Sequence, residues 1–163
     1  MIHPILNAST DITNVTADSI QPNAIDLRLE KVFVFTSDDI DTDIDPFILD
    51  EDKKTHRKQA EIGPHRDGYF HLQPGYYVIQ YRNEIKVAEG EAGWVISRST
   101  LIRNGVYLLT GLYDSGYSGK MMGGLHVTSG DFLVKPGTRI GQYLCFNATS
   151  AHLYDGDYQE RKS

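Results

Sequence analysis

Cysteine is nearly absent. Cys145 is the only one in 163 residues, so no intrachain disulfide can form and a secreted disulfide scaffold is excluded. It sits in the apolar run Tyr143-Leu144-Cys145-Phe146, which reads as core. No apolar run is long enough to cross a bilayer, and the N-terminus lacks the basic-then-apolar order of a signal peptide, so the expected location is the cytoplasm. Basic residues are outnumbered, 16 Lys and Arg against 22 Asp and Glu, for a net charge of -6. That balance excludes a general nucleic-acid coat, because gripping a phosphate backbone needs a basic surface. Tight metal-ligand spacing is missing too. His56, His65 and His71 are scattered, and the aspartate-rich run from Ser37 to Asp45 lacks the central glycine and distal glutamate of a calcium loop. There is no internal repeat.

What is present is β-structure. Hydrophobic residues make up 40% of the chain and charged residues 23%, ordinary for one globular domain over 1–163. After a polar N-terminal extension (1–19), Ile25, Leu27 and Leu29 alternate with Asp26, Arg28 and Glu30, which is strand spacing with one buried face. On that spacing alone, Asp26 and Arg28 belong on the solvated face. Residues 38–67 form an acidic and mixed-charge loop. Order returns with Tyr76-Tyr77-Val78-Ile79-Gln80-Tyr81, then with strands near Trp94–Ile96, Val106–Leu109, Met121–Val127, Phe132–Val134 and Ile140–Phe146. A single short helix is expected over Ser99–Asn104, stopped by Gly105. The fold class is therefore all-β, a barrel or distorted jelly roll with one short helix. The polar tail, 148–163, is expected to fray or to dock on a neighbouring subunit.

The chemistry concentrates between Ser97 and Gly119. Arg98-Ser99-Thr100 offers a cation and two hydroxyls, a set suited to phosphate. After a hairpin strand, Asp114-Ser115-Gly116-Tyr117 supplies a carboxylate able to hold and deprotonate water, and a ring able to face a sugar or base. The same four residues also suit an ordinary turn, so spacing alone leaves both readings open.

Four motifs in order resemble the dUTPase and dCTP deaminase superfamily. They are Ile20-Gln21-Pro22-Asn23-Ala24-Ile25-Asp26-Leu27-Arg28-Leu29, then Arg98-Ser99-Thr100-Leu101 with Arg103 and Gly105, then Gly111 to Gly119, then Lys135-Pro136-Gly137-Thr138-Arg139-Ile140-Gly141-Gln142. The resemblance implies a dUTPase-like barrel and a dUTP pyrophosphatase. Asp114 would activate water, and Arg98, Ser99, Thr100, Arg103, Tyr117, Gln142 and Tyr154 would bind the nucleotide. Asp26 would meet a magnesium ion indirectly, through water or phosphate. It further implies Mg²⁺ as cofactor, dUTP or conceivably dCTP as the small-molecule partner, and a homotrimer with shared sites.

Within the superfamily, deaminases carry a catalytic glutamate ten residues beyond the third-motif aspartate, and that position is Gly124 here. Glycine cannot accept a proton, and Asp-Ser-Gly-Tyr is the dUTPase-like spelling. The glycine-rich, arginine-bearing arm of dUTPases is missing, leaving Arg161 and Lys162 as the tail's cations. Two alternatives remain. One is a deaminase of dCTP or a modified pyrimidine nucleotide, and the other a catalytically weak regulatory protein using the acidic loop at 38–58 as its contact surface.

Overall fold

Alternating side chains become paired strands almost wherever they occur. The computed structural model describes residues 2–3, 8–37 and 44–159. Among them are β1 (Ile2–His3), β2 (Asp11–Ile12), β3 (Ile25–Thr36), β4 (Lys58–Ile62), β5 (Phe70–Leu72), β6 (Gly75–Lys86), β7 (Glu91–Ser97), β8 (Val106–Leu109), β9 (Ser118–Val127), β10 (Phe132–Val134) and β11 (Arg139–Asn147). The helix α1 covers Ser99–Ile102. It is shorter than the expected Ser99–Asn104. Gly105, at φ 71°, returns its N–H to Ile102 O at 3.2 Å and ends the turn.

β3 organises the barrel. Its first residues pair with β11, with Asp26 opposite Gln142, and its middle pairs with β6, with Val32 opposite Ile79. Its end pairs with β4, with Phe35 opposite Gln59. β9 continues from β6 and β8 from β9, while β7 lies on the other side of β11. The ring closes between β7 and the β8 segment through two hydroxyl bonds and one backbone bridge. Leu108 N donates to Ser97 Oγ at 2.7 Å, Thr110 Oγ1 donates to Val95 O at 3.1 Å, and Gly93 and Tyr113 form a two-way bridge. Leu27, Leu29, Val32, Ile79, Met121, Leu125 and Ile140 fill the interior with essentially no exposure. Each contributes about 1.5–3 kcal/mol over an exposed position. Cys145 is buried with them, as the sequence suggested, and burial pushes its thiol up to about 11.

Tyr143 lies flat over Gly93, where a Cβ would meet the ring's hydroxyl at 2.4 Å and Leu144 O at 2.2 Å. Its hydroxyl and that of Tyr81 are buried without a partner among the described residues, and burial pushes both phenols far up.

Two expectations need correction. The segment 38–67 is not all loop, because Lys58–Ile62 is an edge strand on β3. It was missed because the strand is exposed on both faces except at Ile62, so it carries no period-two signal. Residues 38–43, which include most of the calcium-like run, lie outside the described residues. Over 148–159 the tail does not fray. It docks on its own chain, with Tyr154 N donating to Ser115 O at 2.8 Å and Lys54 ion-paired to Asp157. Arg161 and Lys162 lie outside the described residues.

Candidate functional site

Asp26 is the centre of a buried cage. It stands opposite Gln142, on the face of β3 away from Ile25 and Leu27, and covering side chains leave its own fully buried. Gln142 Nε2 donates to Oδ1 at 3.0 Å, and Gln21 Nε2 donates to Oδ2 at 3.2 Å. Arg139 Nη1 stands 3.4 Å and Arg98 Nε 3.8 Å from the same Oδ2. A buried carboxylate survives only with such company. The solvated-face expectation for Asp26 is therefore wrong, because two amides and two guanidiniums, from β11, the segment before β3 and the start of α1, outweigh the cost of burying it. Arg28 lies at the surface, held by Asp18 Oδ2 at 2.6 Å and Gly137 O at 2.8 Å.

Arg98 and Arg139 also wall an open cavity of about 340 Å³, with Thr100, Thr138, Lys135 and Tyr69. Lys135 Nζ stands 4.8 Å above the Tyr69 ring. Two hydroxyls and three cations, partly balanced by Asp26, make this region suited to a polyanion.

Asp114 belongs to a different place. The loop between β8 and β9 carries it exposed, between buried Tyr113 and buried Ser115. Ser115 Oγ donates to Glu91 O at 2.5 Å and shares a 2.7 Å bond with Ser150 Oγ of the tail. Asp114 opens into a cavity of about 590 Å³ lined also by Leu112, Ser115, His152, Tyr154 and Asp155. Among the described residues no lysine or arginine lines it, and none lines both cavities. Tyr117 is half-buried. Its ring lies 5.6 Å from Tyr113 and 5.4 Å from Tyr154, and its hydroxyl donates to Lys120 O at 2.8 Å.

Behind the loop, Glu91 receives Ser9 N, Thr10 N and Thr10 Oγ1 at 2.6–2.8 Å. Burial opposes its charge, yet these donors more than offset that, and the carboxyl titrates below its ordinary value.

A side chain at Gly124 would have to displace the end of the Tyr76 ring. A Cβ there would meet Tyr76 Oη at 2.2 Å and the Tyr76 ring at 2.6 Å. Tyr76 is itself stacked parallel to Phe35. Nearby His126 is engaged through Nδ1 with Tyr107 Oη at 2.6 Å.

The sequence-predicted residues thus divide. Asp26, Arg98, Thr100 and Gln142 come together. Ser99 and Arg103 are exposed at either end of α1. Asp114, Tyr117 and Tyr154 form a second group. A magnesium ligand does not fit Asp26, since both its oxygens are occupied by amide and guanidinium donors inside a closed cage. Among the described residues no group of three His, Cys, Asp or Glu could hold a metal. Arg139 went unassigned although it lies in the fourth motif, three residues before Gln142. Gln21 likewise lies inside the first motif, five residues before Asp26, whereas His152 and Gln159 carry no periodic or motif signal.

Relatives agree with this architecture. The dCTP deaminase-like family model matches residues 3–148. A probable deoxyuridine 5'-triphosphate nucleotidohydrolase of Halobacterium salinarum is 30% identical over 154 residues, covering 91% of this chain and 88% of the relative. One from Methanopyrus kandleri is 31% identical over 143 residues, covering 86% and 88%. The dCTP deaminase structure from Agrobacterium tumefaciens superposes with TM-score 0.61 at 15% identity, over 85% of this chain and 43% of that one. A dUTPase of Staphylococcus bacteriophage 80alpha gives 0.53 at 14% identity, over 93% and 99%. With the four motifs, the barrel and this match in hand, the chain belongs to the dCTP deaminase-like family.

Proposed function

We propose that the chain is a dUTP pyrophosphatase that releases dUMP and pyrophosphate. The observation that carries the choice of reaction is Gly124 beneath Tyr76. A deaminase needs a base at that position, and here a phenol ring fills the space a side chain would take. The archaeal relatives named as probable deoxyuridine triphosphate nucleotidohydrolases support the same choice.

In the mechanism, Asp114 takes a proton from water while the water oxygen attacks the α-phosphorus. The bond from that phosphorus to the bridging oxygen breaks, and pyrophosphate leaves. Tyr117 packs on the deoxyribose, where a 2′-hydroxyl would have no room, and Tyr154 lines the same cavity. Arg98, Ser99, Thr100, Arg103 and Gln142 hold phosphate oxygens, with Asp26 fixing Arg98 and Gln142. Any magnesium requirement resides in the nucleotide, whose phosphates chelate the ion, and not in this chain's side chains.

Asp114 and the arginines line separate cavities of one chain, yet the reaction needs both. We therefore assign the complete site to a homotrimer, in which Arg98 to Arg103 of one subunit face the hairpin at 105–117 of another. Trp94, Ile96, Leu109 and Leu112, exposed apolar side chains on β7, β8 and the adjoining loop, support association. Assaying dUTP and dCTP side by side for pyrophosphate and ammonia tests the reaction. Ammonia from dCTP, without pyrophosphate from dUTP, overturns it. Sedimentation as a fully active monomer overturns the trimer.

A further inference from the structure

The loop carrying Asp114 is bonded on two sides. Inward, Gly116 N donates to Val87 O at 3.1 Å, and Tyr117 O receives Val87 N at 2.8 Å. Outward, its partner is the tail, and the tail's last described residue makes two bonds at once. Gln159 Nε2 donates to Gly116 O at 3.2 Å, while Gln159 Oε1 accepts from Ser118 N at 3.1 Å. A primary amide presents one donor and one acceptor in a plane, as a peptide unit does. It therefore takes two backbone groups of the loop as a neighbouring strand would. Leu153 closes on Gly116, whose φ of 86° leaves a face where a Cβ would come within 3.0 Å of Leu153 Cβ. The Asp114 backbone carbonyl accepts from Tyr117 N at 3.1 Å, but its carboxylate accepts no hydrogen bond among the described residues, so the direction of that carboxylate depends on how firmly the loop backbone is held.

We propose that Gln159 is a positioning residue for Asp114: its amide clamps the backbone at Gly116 and Ser118 and so aims a carboxylate that has no partner of its own. The assignment rests on the reading of Asp114 as the base. Gln159 touches no nucleotide in this scheme, so its loss acts on turnover and not on binding. A misplaced catalytic group costs up to roughly 100-fold per ångström, and a loosened loop that still samples the right geometry costs less.

The test uses the full chain with Gln159→Ala and Gln159→Glu. Glutamate keeps the length and the acceptor for Ser118 N but loses the donor for Gly116 O. The expected result for alanine is about a tenfold fall in kcat on dUTP with KM unchanged. Amide exchange at Ser118 should speed up in the same variant, while exchange in β9 beyond Met121 should not change. Glutamate should lower kcat as well and leave Ser118 protected. Unchanged kcat in both variants overturns the proposal, even if Ser118 exchanges faster. A kcat loss with unchanged Ser118 exchange in alanine also overturns it. If the wild-type chain hydrolyses no dUTP, the reading of Asp114 fails first, and Ser118 exchange still reports whether the clamp exists.

Discussion

The cage around Asp26 and the loop around Asp114 each present a carboxylate, and they treat it in opposite ways. Asp26 is closed off and held side chain to side chain by four groups from three parts of the barrel. Asp114 is exposed, and the surrounding backbone does the holding, through Glu91 O, Val87 and the tail. A carboxylate so engaged is shut away from solvent, but it can set the direction of two arginines. One left free can do the chemistry, at the cost of needing its scaffold held from outside. Organisation and reactivity are thus assigned to different aspartates.

The sharpest way to break this contrast is Asp114→Asn. It keeps the shape and removes the basicity, so kcat on dUTP should fall roughly 10²–10⁴-fold with nucleotide affinity largely kept. Steady-state kinetics with a separate binding titration checks it, and near wild-type turnover would refute the contrast. Asp26→Asn should do the reverse. Arg98 and Arg139 lose the charge between them, stability should fall by about 1–3 kcal/mol in urea denaturation, and nucleotide binding should weaken more than turnover. Tyr117→Ala sharpens the loop side. The ring is half-buried between Tyr113 and Tyr154, so about 1–3 kcal/mol of stability should be lost. The informative readout is the activity ratio of UTP to dUTP, which rises only if the ring also excludes the 2′-hydroxyl.

The barrel was largely legible, because β3, β6, β9 and β11 bury one face and their side chains alternate. β4 was not, since an edge strand without a buried face leaves no pattern in the sequence. The two site halves were legible as motifs, but their separation was not. Asp26 and Arg98 lie 72 positions apart in the chain and meet only because β3 and β7 both flank β11. Asp26 read as a surface residue because alternation reports which face a side chain takes, and not whether Gln21, Arg98, Arg139 and Gln142 then cover that face. Gln159 left no trace because side-chain-to-backbone clamps follow no period.

Smaller effects refine the picture. Gly124→Ala should cost about 1 kcal/mol by displacing Tyr76, and the cost should vanish in a Tyr76→Ala background, as thermal denaturation of the double-mutant cycle would show. Glu91 gives the smallest signal. Its carboxyl titrates lower folded than its ordinary value of 4.5. Its contribution to stability is therefore complete above about pH 4.5 and is lost as pH falls through the lowered folded value. Glu91→Gln should flatten the acid side of the stability profile, and a wild-type slope below pH 4.5 would count against this account.

The contact between Tyr143 and Gly93 has a consequence for how such barrels diverge. The ring occupies the volume that any side chain at 93 would need, and the backbone of Leu144 blocks the remaining exit. Neither position can drift alone. A larger residue at 93 needs both a smaller side chain at 143 and a shift of the Leu144 backbone, and shrinking 143 first leaves a hole in the core. The two sites should therefore behave in an aligned family as one inherited unit, changing together or staying fixed.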